Sequence, residues 1–252
     1  MMKLSVSVKI YTCLVITLVL LSVVNLFLPQ GDFVPVRELP EAKLPIPLPV
    51  LALVNVFTIV ILYGGLGLLG LRLTDKLGYA GIWDSNVSNR QRFLIPAITG
   101  VGIGIFFILT DAVFSRLHPL GPLPHPPFPA SIVASAAAGI GEEIIFRLFF
   151  IPFFVWLISW VILKKRWQNQ IFWIVTALSA LAFSSGHLPS AMLIYGFKKI
   201  SDIPPALLAE VIILNGVVSF FAAFNIKKSG FLAAVGVHFW TDIVWHVIRG
   251  LF

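Results

Sequence analysis

The sequence predicts an all-α, polytopic membrane protein: a bundle of about seven transmembrane helices, with about eight as the upper count. Three observations carry that prediction. Of 252 residues, 58% are hydrophobic and 12% charged, where a soluble domain has about a quarter of its residues charged. The mean hydropathy is +0.97. The apolar residues fall in long runs separated by short basic or proline-rich loops, each run long enough for a helix to cross the hydrocarbon core. Length alone suggests a single integral membrane domain over residues 1–252.

The first span is expected near Val8–Leu28. Lys3 and Lys9 precede an apolar run too long for a cleavable signal, and no small-x-small site follows it, so the span is read as retained. The connection Pro29–Pro49 contains Pro35, Pro40, Pro45 and Pro47, and proline at that density excludes a long helix. The second span is expected near Val50–Leu71, where Gly64, Gly65, Gly67 and Gly70 allow close helix packing. A charged loop, Arg72–Arg92, leads to a third span near Phe93–Phe114, with Asp111 close to its boundary.

His118 to Pro129 reads as a rigid, extended linker, and its His118 and His125 as plain loop residues rather than metal ligands. The fourth apolar run, Ser131–Leu163, exceeds one crossing. It is expected to tilt, to kink at Pro152, or to begin outside the membrane. A fifth span is expected over Gln170–His187, a sixth over Pro204–Phe224 with Glu210 inside it, and a seventh over Gly230–Ile248 with His238, Asp242 and His246.

The formal charge of +7 comes from bases scattered among short loops. That distribution signals topology and contact with a lipid bilayer; it forms no basic stripe for nucleic acid. It places the amino end in the cytoplasm and the carboxyl end outside. The lone Cys13 allows no intrachain disulfide and no cysteine-ligated metal.

Within the fourth run, Gly141-Glu142-Glu143-Ile144-Ile145-Phe146-Arg147 places three charges where each costs roughly 3 kcal/mol on insertion scales, about 9 kcal/mol if all faced lipid unpaired. On a helix Glu143 and Arg147 lie one turn apart and can pair. Glu142 points about 100° away and is left to face something else. His238 and Asp242 share a face by the same spacing, and His187 follows Phe183 by four. Three spans thus bring ionisable groups into the bilayer, where such groups turn inward and find partners. Glutamate, two histidines and an aspartate around one cavity suit acid–base hydrolysis or a metal site of carboxylate and imidazole ligands. His246 is two turns beyond His238; Glu210 and Asp111 match no pattern and read as packing or boundary residues.

Three motifs, E-E-x-x-x-R at Glu142–Arg147, F-x-x-x-H at Phe183–His187 and H-x-x-x-D at His238–Asp242, resemble those of the CAAX prenyl protease and bacteriocin-processing family, whose members include the Ras-converting-type CAAX endopeptidase. The resemblance spans roughly Ser131–Gly250, a family-like catalytic core; residues 1–130 would be additional amino-terminal spans. It implies an intramembrane glutamic endopeptidase, a hydrolase needing no cofactor. By position Glu142 matches the general base, His187 its partner in holding the attacking water, and His238 with Asp242 the pair that stabilises the oxyanion. Glu143, Arg147 and Phe183 match supporting positions. CAAX proteases carry asparagine where Asp242 stands; the acidic version resembles that of prokaryotic relatives, which implies the plasma membrane of a prokaryote. The acid must therefore be protonated to donate, or else it orients His238. Substrates implied are a peptide or membrane protein, including a prenylated peptide. Two alternatives stay open: a zinc-dependent version of the same protease, and a non-enzymatic bacteriocin-immunity or scaffold protein. The face on which the site opens also stays open, since motif positions favour the non-cytoplasmic half and the CAAX resemblance favours cytosolic access.

Overall fold

A computed structural model describes residues 5–29 and 47–252. The proline-rich connection expected over 29–49 lies mostly outside the described residues, as do Lys3, Arg37 and Lys43. Among the described residues seven helices are long and apolar enough to cross a membrane: α1 (Val6–Phe27), α2 (Leu48–Lys76), α3 (Arg90–Phe114), α4 (Ala130–Ile162), α5 (Gln168–Tyr195), α6 (Pro205–Ser229) and α7 (Phe231–Leu251). No strand occurs among the described residues.

Helix limits follow local chemistry. The Ser5 side chain accepts from the Val8 N–H and caps α1. Pro205 opens α6, where its missing N–H costs nothing. Gly230 separates α6 from α7 at φ 87°, and the Gly81 carbonyl fills the space a Cβ would need.

α4 stays helical through Pro152, with no interruption of the helix from Ala130 to Ile162. The helix is widened into π turns over Ile144–Phe150 and Trp156–Ile162, on either side of the short α segment containing that proline. Widened turns absorb a residue that cannot donate to the helical ladder.

α5 corrects the expected end of the fifth span. The helix runs past His187 and through Pro189 to Tyr195, where Gly196 at φ 71° stops it. Proline lowers helical stability, but in a hydrocarbon core no water compensates a free backbone group, so a spanning helix continues through it. His187 consequently lies well inside the span.

The bundle is arranged around α7. In its most apolar window 56% of residues are buried, against 11% in α2 and 17% in α1. α3 and α6 make its broadest contacts, and α5 packs on α6. The approach of α3 is close because Gly100 and Gly104 present no side chain. A Cβ on Gly100 would lie 2.8 Å from that of Trp240, and one on Gly104 2.9 Å from the Thr241 carbonyl. The Thr241 hydroxyl donates to the Gly100 carbonyl at 3.2 Å and to the Val237 carbonyl at 2.8 Å. This contact fixes the rotation of α7 and so the direction in which His238 and Asp242 point. On α2, Gly70 lets the helix seat on the Leu148 backbone of the first π turn.

Candidate active site

Glu142 and Glu143 diverge as the helical repeat requires. The Glu143 side chain is fully buried, and the Glu142 side chain keeps 35% of its surface. Glu143 pairs with Arg147 of the same helix, Oε2 to Nε at 3.3 Å. Arg147 in turn donates from Nη2 to the Ser219 hydroxyl on α6 at 2.6 Å. Its guanidinium lies 4.4 Å from the Phe183 ring centroid. A guanidinium over an aromatic face, with a carboxylate and a hydroxyl at its edge, is an arrangement that tolerates exclusion from water.

The second oxygen of Glu143 meets His238 of α7, Oε1 to Nδ1 at 2.9 Å. With a carboxylate as partner, Nδ1 carries the proton and donates. Nε2 then faces Glu142 at 3.7 Å and Asp242 at 3.6 Å. Those are ion-pair distances rather than hydrogen bonds. Ser219, Arg147, Glu143 and His238 therefore form one continuous polar chain from α6 through α4 to α7. It ends at the imidazole edge facing Glu142.

His187 is held from α5. Its Nδ1 donates to the Phe183 carbonyl at 2.9 Å, which leaves Nε2 as the lone-pair nitrogen. Phe183 is also the hub of the aromatic packing: edge contacts join it to Phe146, His187 and His238, with centroids 5.2, 4.8 and 5.8 Å away.

Glu142, His187, His238 and Asp242 line one cavity of about 300 Å³. Its remaining wall is mostly apolar and includes Phe107, Ala138, Leu214 and Trp245. The three spans expected to contribute ionisable groups therefore converge. Asp242 reaches His238 but not Glu143, and no direct Glu142–His187 contact forms; the two flank the same open space.

Several groups stand differently from their sequence reading. Glu143 touches His238 directly as well as Arg147. His118 and His125 are not plain loop residues: the linker folds back over the bundle. His118 Nε2 lies 3.3 Å from Glu210 Oε2, with both side chains fully buried. His125 Nδ1 lies 3.2 Å from His246 Nδ1. Asp111 accepts from the Leu123 N–H at 2.9 Å, fastening the linker to the end of α3. Glu210 and Asp111 thus belong to a second polar cluster above the first, and His246 lines the cavity. Sequence reasoning missed Ser219 and Asn215. Asn215 lines the cavity and spends its amide N–H on the Val211 carbonyl at 2.8 Å. Neither has a local signal, since each is a small polar residue inside an apolar helix.

Burial pushes His125 down to about 4, with help from nearby Arg249 and against Asp111. It is therefore a neutral imidazole at neutral pH.

Residues 124–244 match the model of the Rce1-like type II CAAX prenyl endopeptidase family. The match begins in the linker, ends two residues beyond Asp242 and contains all three motifs. No curated protein and no solved structure matches the chain. The family match supports a CAAX-protease-like intramembrane endopeptidase, with a peptide or protein substrate in a multi-pass membrane setting.

Proposed function

We propose that the protein is an intramembrane endopeptidase that hydrolyses its substrate with water activated between Glu142 and His187. The observation that carries the reading is the shared cavity: Glu142, His187, His238 and Asp242, from α4, α5 and α7, face one space whose remaining wall is mostly apolar. Glu142 is the free carboxylate of the pair, because Glu143 is consumed by Arg147 and His238.

In the proposed step a water sits between the Glu142 carboxylate and the lone-pair Nε2 of His187. Glu142 takes a proton from it, and the oxygen attacks the scissile carbonyl carbon. The resulting oxyanion accepts a hydrogen bond from His238 in its protonated form, whose Nε2–H is the donor not already spent on Glu143. Asp242 orients that imidazole or, when protonated, donates beside it. Collapse of the intermediate breaks the carbon–nitrogen bond, and the proton held by Glu142 passes to the leaving amine. Ser219, Arg147 and Glu143 hold His238 without touching substrate.

The test is cleavage of a membrane-protein and peptide library by the purified, bilayer-reconstituted chain, including prenylated peptides. Glu142→Gln is expected to lower the rate about 10²–10⁴-fold, the usual contribution of a positioned base. Wild-type protein that cuts nothing, together with a Glu142→Ala variant that retains the wild-type cellular phenotype, overturns the reading in favour of a scaffold or immunity protein. Activity lost on chelation and restored by zinc would replace the glutamate mechanism with a metal-dependent one.

A further inference from the structure

The two ends of the bundle differ in charge, and the cavity belongs to one of them. One end is formed by the start of α1 and the 77–89, 163–167 and 229–230 connections. Contacts tie these together: the Trp83 N–H donates to the Ser7 hydroxyl at 3.3 Å, and the Gln168 amide to the Leu77 carbonyl at 2.8 Å. Lys9, Arg72, Lys76, Arg90, Arg92, Lys164, Lys165, Arg166, Lys227 and Lys228 lie there. Aromatic rings receive several of them, as when Arg92 sits 3.9 Å from the Trp83 ring and Lys165 4.8 Å from the Trp160 ring. The opposite end, formed by the 115–129 and 196–204 connections and the close of α7, has only Arg116, Lys198, Lys199 and Arg249 among the described residues, and the sequence adds Arg37 and Lys43 in the connection between α1 and α2. All these loops are short, so the bias toward bases on the cytoplasmic side applies to them. The bias persists when Lys9 and Arg249, near the chain ends, are left out.

The cavity extends toward the base-poor end. Its wall includes Leu123 and Pro126 of the linker, Tyr195 at the close of α5 and Val211 near the start of α6. His187 lies eight residues before Tyr195, roughly 12 Å along the helix from that end. Glu142 lies twelve residues after Ala130, roughly 18 Å from the same end. The site is thus at mid-depth, and its open space leads away from the base-rich face.

We infer that substrate enters from the non-cytoplasmic face, as an extended apolar segment of an exported or membrane-anchored polypeptide. The occupant is a polypeptide because the cavity ends on the hydrolytic groups, a point that rests on the endopeptidase reading. It is apolar because the walls between mouth and carboxylate are largely apolar. A lipid-modified carboxyl terminus presented from the cytoplasm would meet the basic end instead, to which the site cavity does not extend.

The direction of entry is testable without activity. In a Cys13→Ser background, Ser201→Cys marks the base-poor end and Ser85→Cys the base-rich end; both positions are exposed. On intact cells a charged, membrane-impermeant maleimide is expected to label Ser201→Cys, with loss of Ser85→Cys labelling until the membrane is permeabilised. The reverse pattern overturns the inference, whatever the protein cleaves. If those variants fail to fold, trypsin on sealed cells expressing the natural sequence gives the same readout: Lys164–Arg166 should be cut only after permeabilisation, and cutting on sealed cells overturns the inference. A third variant, Ser190→Cys at the cavity wall, connects direction to substrate. External maleimide should abolish its cleavage activity, and cleavage that persists at full labelling overturns entry by this route. Absence of cleavage in the unlabelled protein, with the expected orientation, would refute the endopeptidase reading and leave the topology intact.

Discussion

Two polar clusters are buried in the bundle, and they spend their charges differently. In the cluster at the close of α3, His118 meets Glu210, His125 meets His246, and Asp111 takes a backbone N–H. Each contact joins the linker to the bundle. In the deeper cluster the chain of Ser219, Arg147, Glu143 and His238 is equally consumed, but Glu142 and Asp242 keep a face toward the cavity. Burial of ionisable groups is thus not in itself a sign of chemistry. What distinguishes the deeper cluster is that two carboxylates left over from its internal pairing, Glu142 and Asp242, face a space that can hold a reactant.

The sharpest way to break that contrast is Glu142→Gln. It should remove cleavage, about 10²–10⁴-fold by rate, while thermal stability of the solubilised protein stays unchanged. A large loss of stability would place Glu142 among the consumed groups and erase the distinction. Arg147→Leu comes next. It leaves Glu143 buried without its cation, and breaking such a pair costs about 3–5 kcal/mol. Chemical denaturation should show it, and the double change Glu143→Leu with Arg147→Leu should recover part of the loss.

His118→Ala probes the other cluster and should cost about 1–3 kcal/mol, the penalty for leaving a buried partner unsatisfied. Cleavage measured below the unfolding transition should be retained; its loss there would make the linker cluster part of the chemistry. The smallest expected effect is on the acid side. His125 is neutral in the folded protein down to about 4, whereas its ordinary value is 6.5. Between those values the unfolded chain binds the extra proton. Stability from this group is therefore complete above 6.5 and declines as pH falls toward 4. Tm measured across that window should fall less steeply in His125→Gln than in the natural sequence.

Helix number and the convergence of Glu142, His187, His238 and Asp242 on one cavity were readable from sequence, for a physical reason. Hydrophobic length reports a crossing directly, and spacing by four reports a shared face, so Glu143 with Arg147 and His238 with Asp242 follow from adjacency alone. The linker histidines were misread because their partners are remote: His118 is 92 residues from Glu210, and His125 is 121 from His246. Such pairings depend on how each helix is rotated about its axis, and that rotation is set by contacts such as Gly100 against Trp240 and Thr241. Ser219 was hidden for the same reason. The fifth span was placed too short because the helix continues through Pro189 to Tyr195, as a membrane helix can where no water is present to take up a free backbone group.

The π turn that follows Glu143 has a bearing on how this chain tolerates insertion and deletion. A π turn is one surplus residue accommodated within an α-helical path. Deleting a single residue between Ile145 and Phe150 would let the backbone relax to the tighter spiral, while the Glu142 side and the Pro152 side kept their azimuth. The same deletion in the regular stretch ahead of Gly141 would swing the double glutamate by about 100°. Length variants of this helix should accordingly accumulate after the acidic pair and be purged before it.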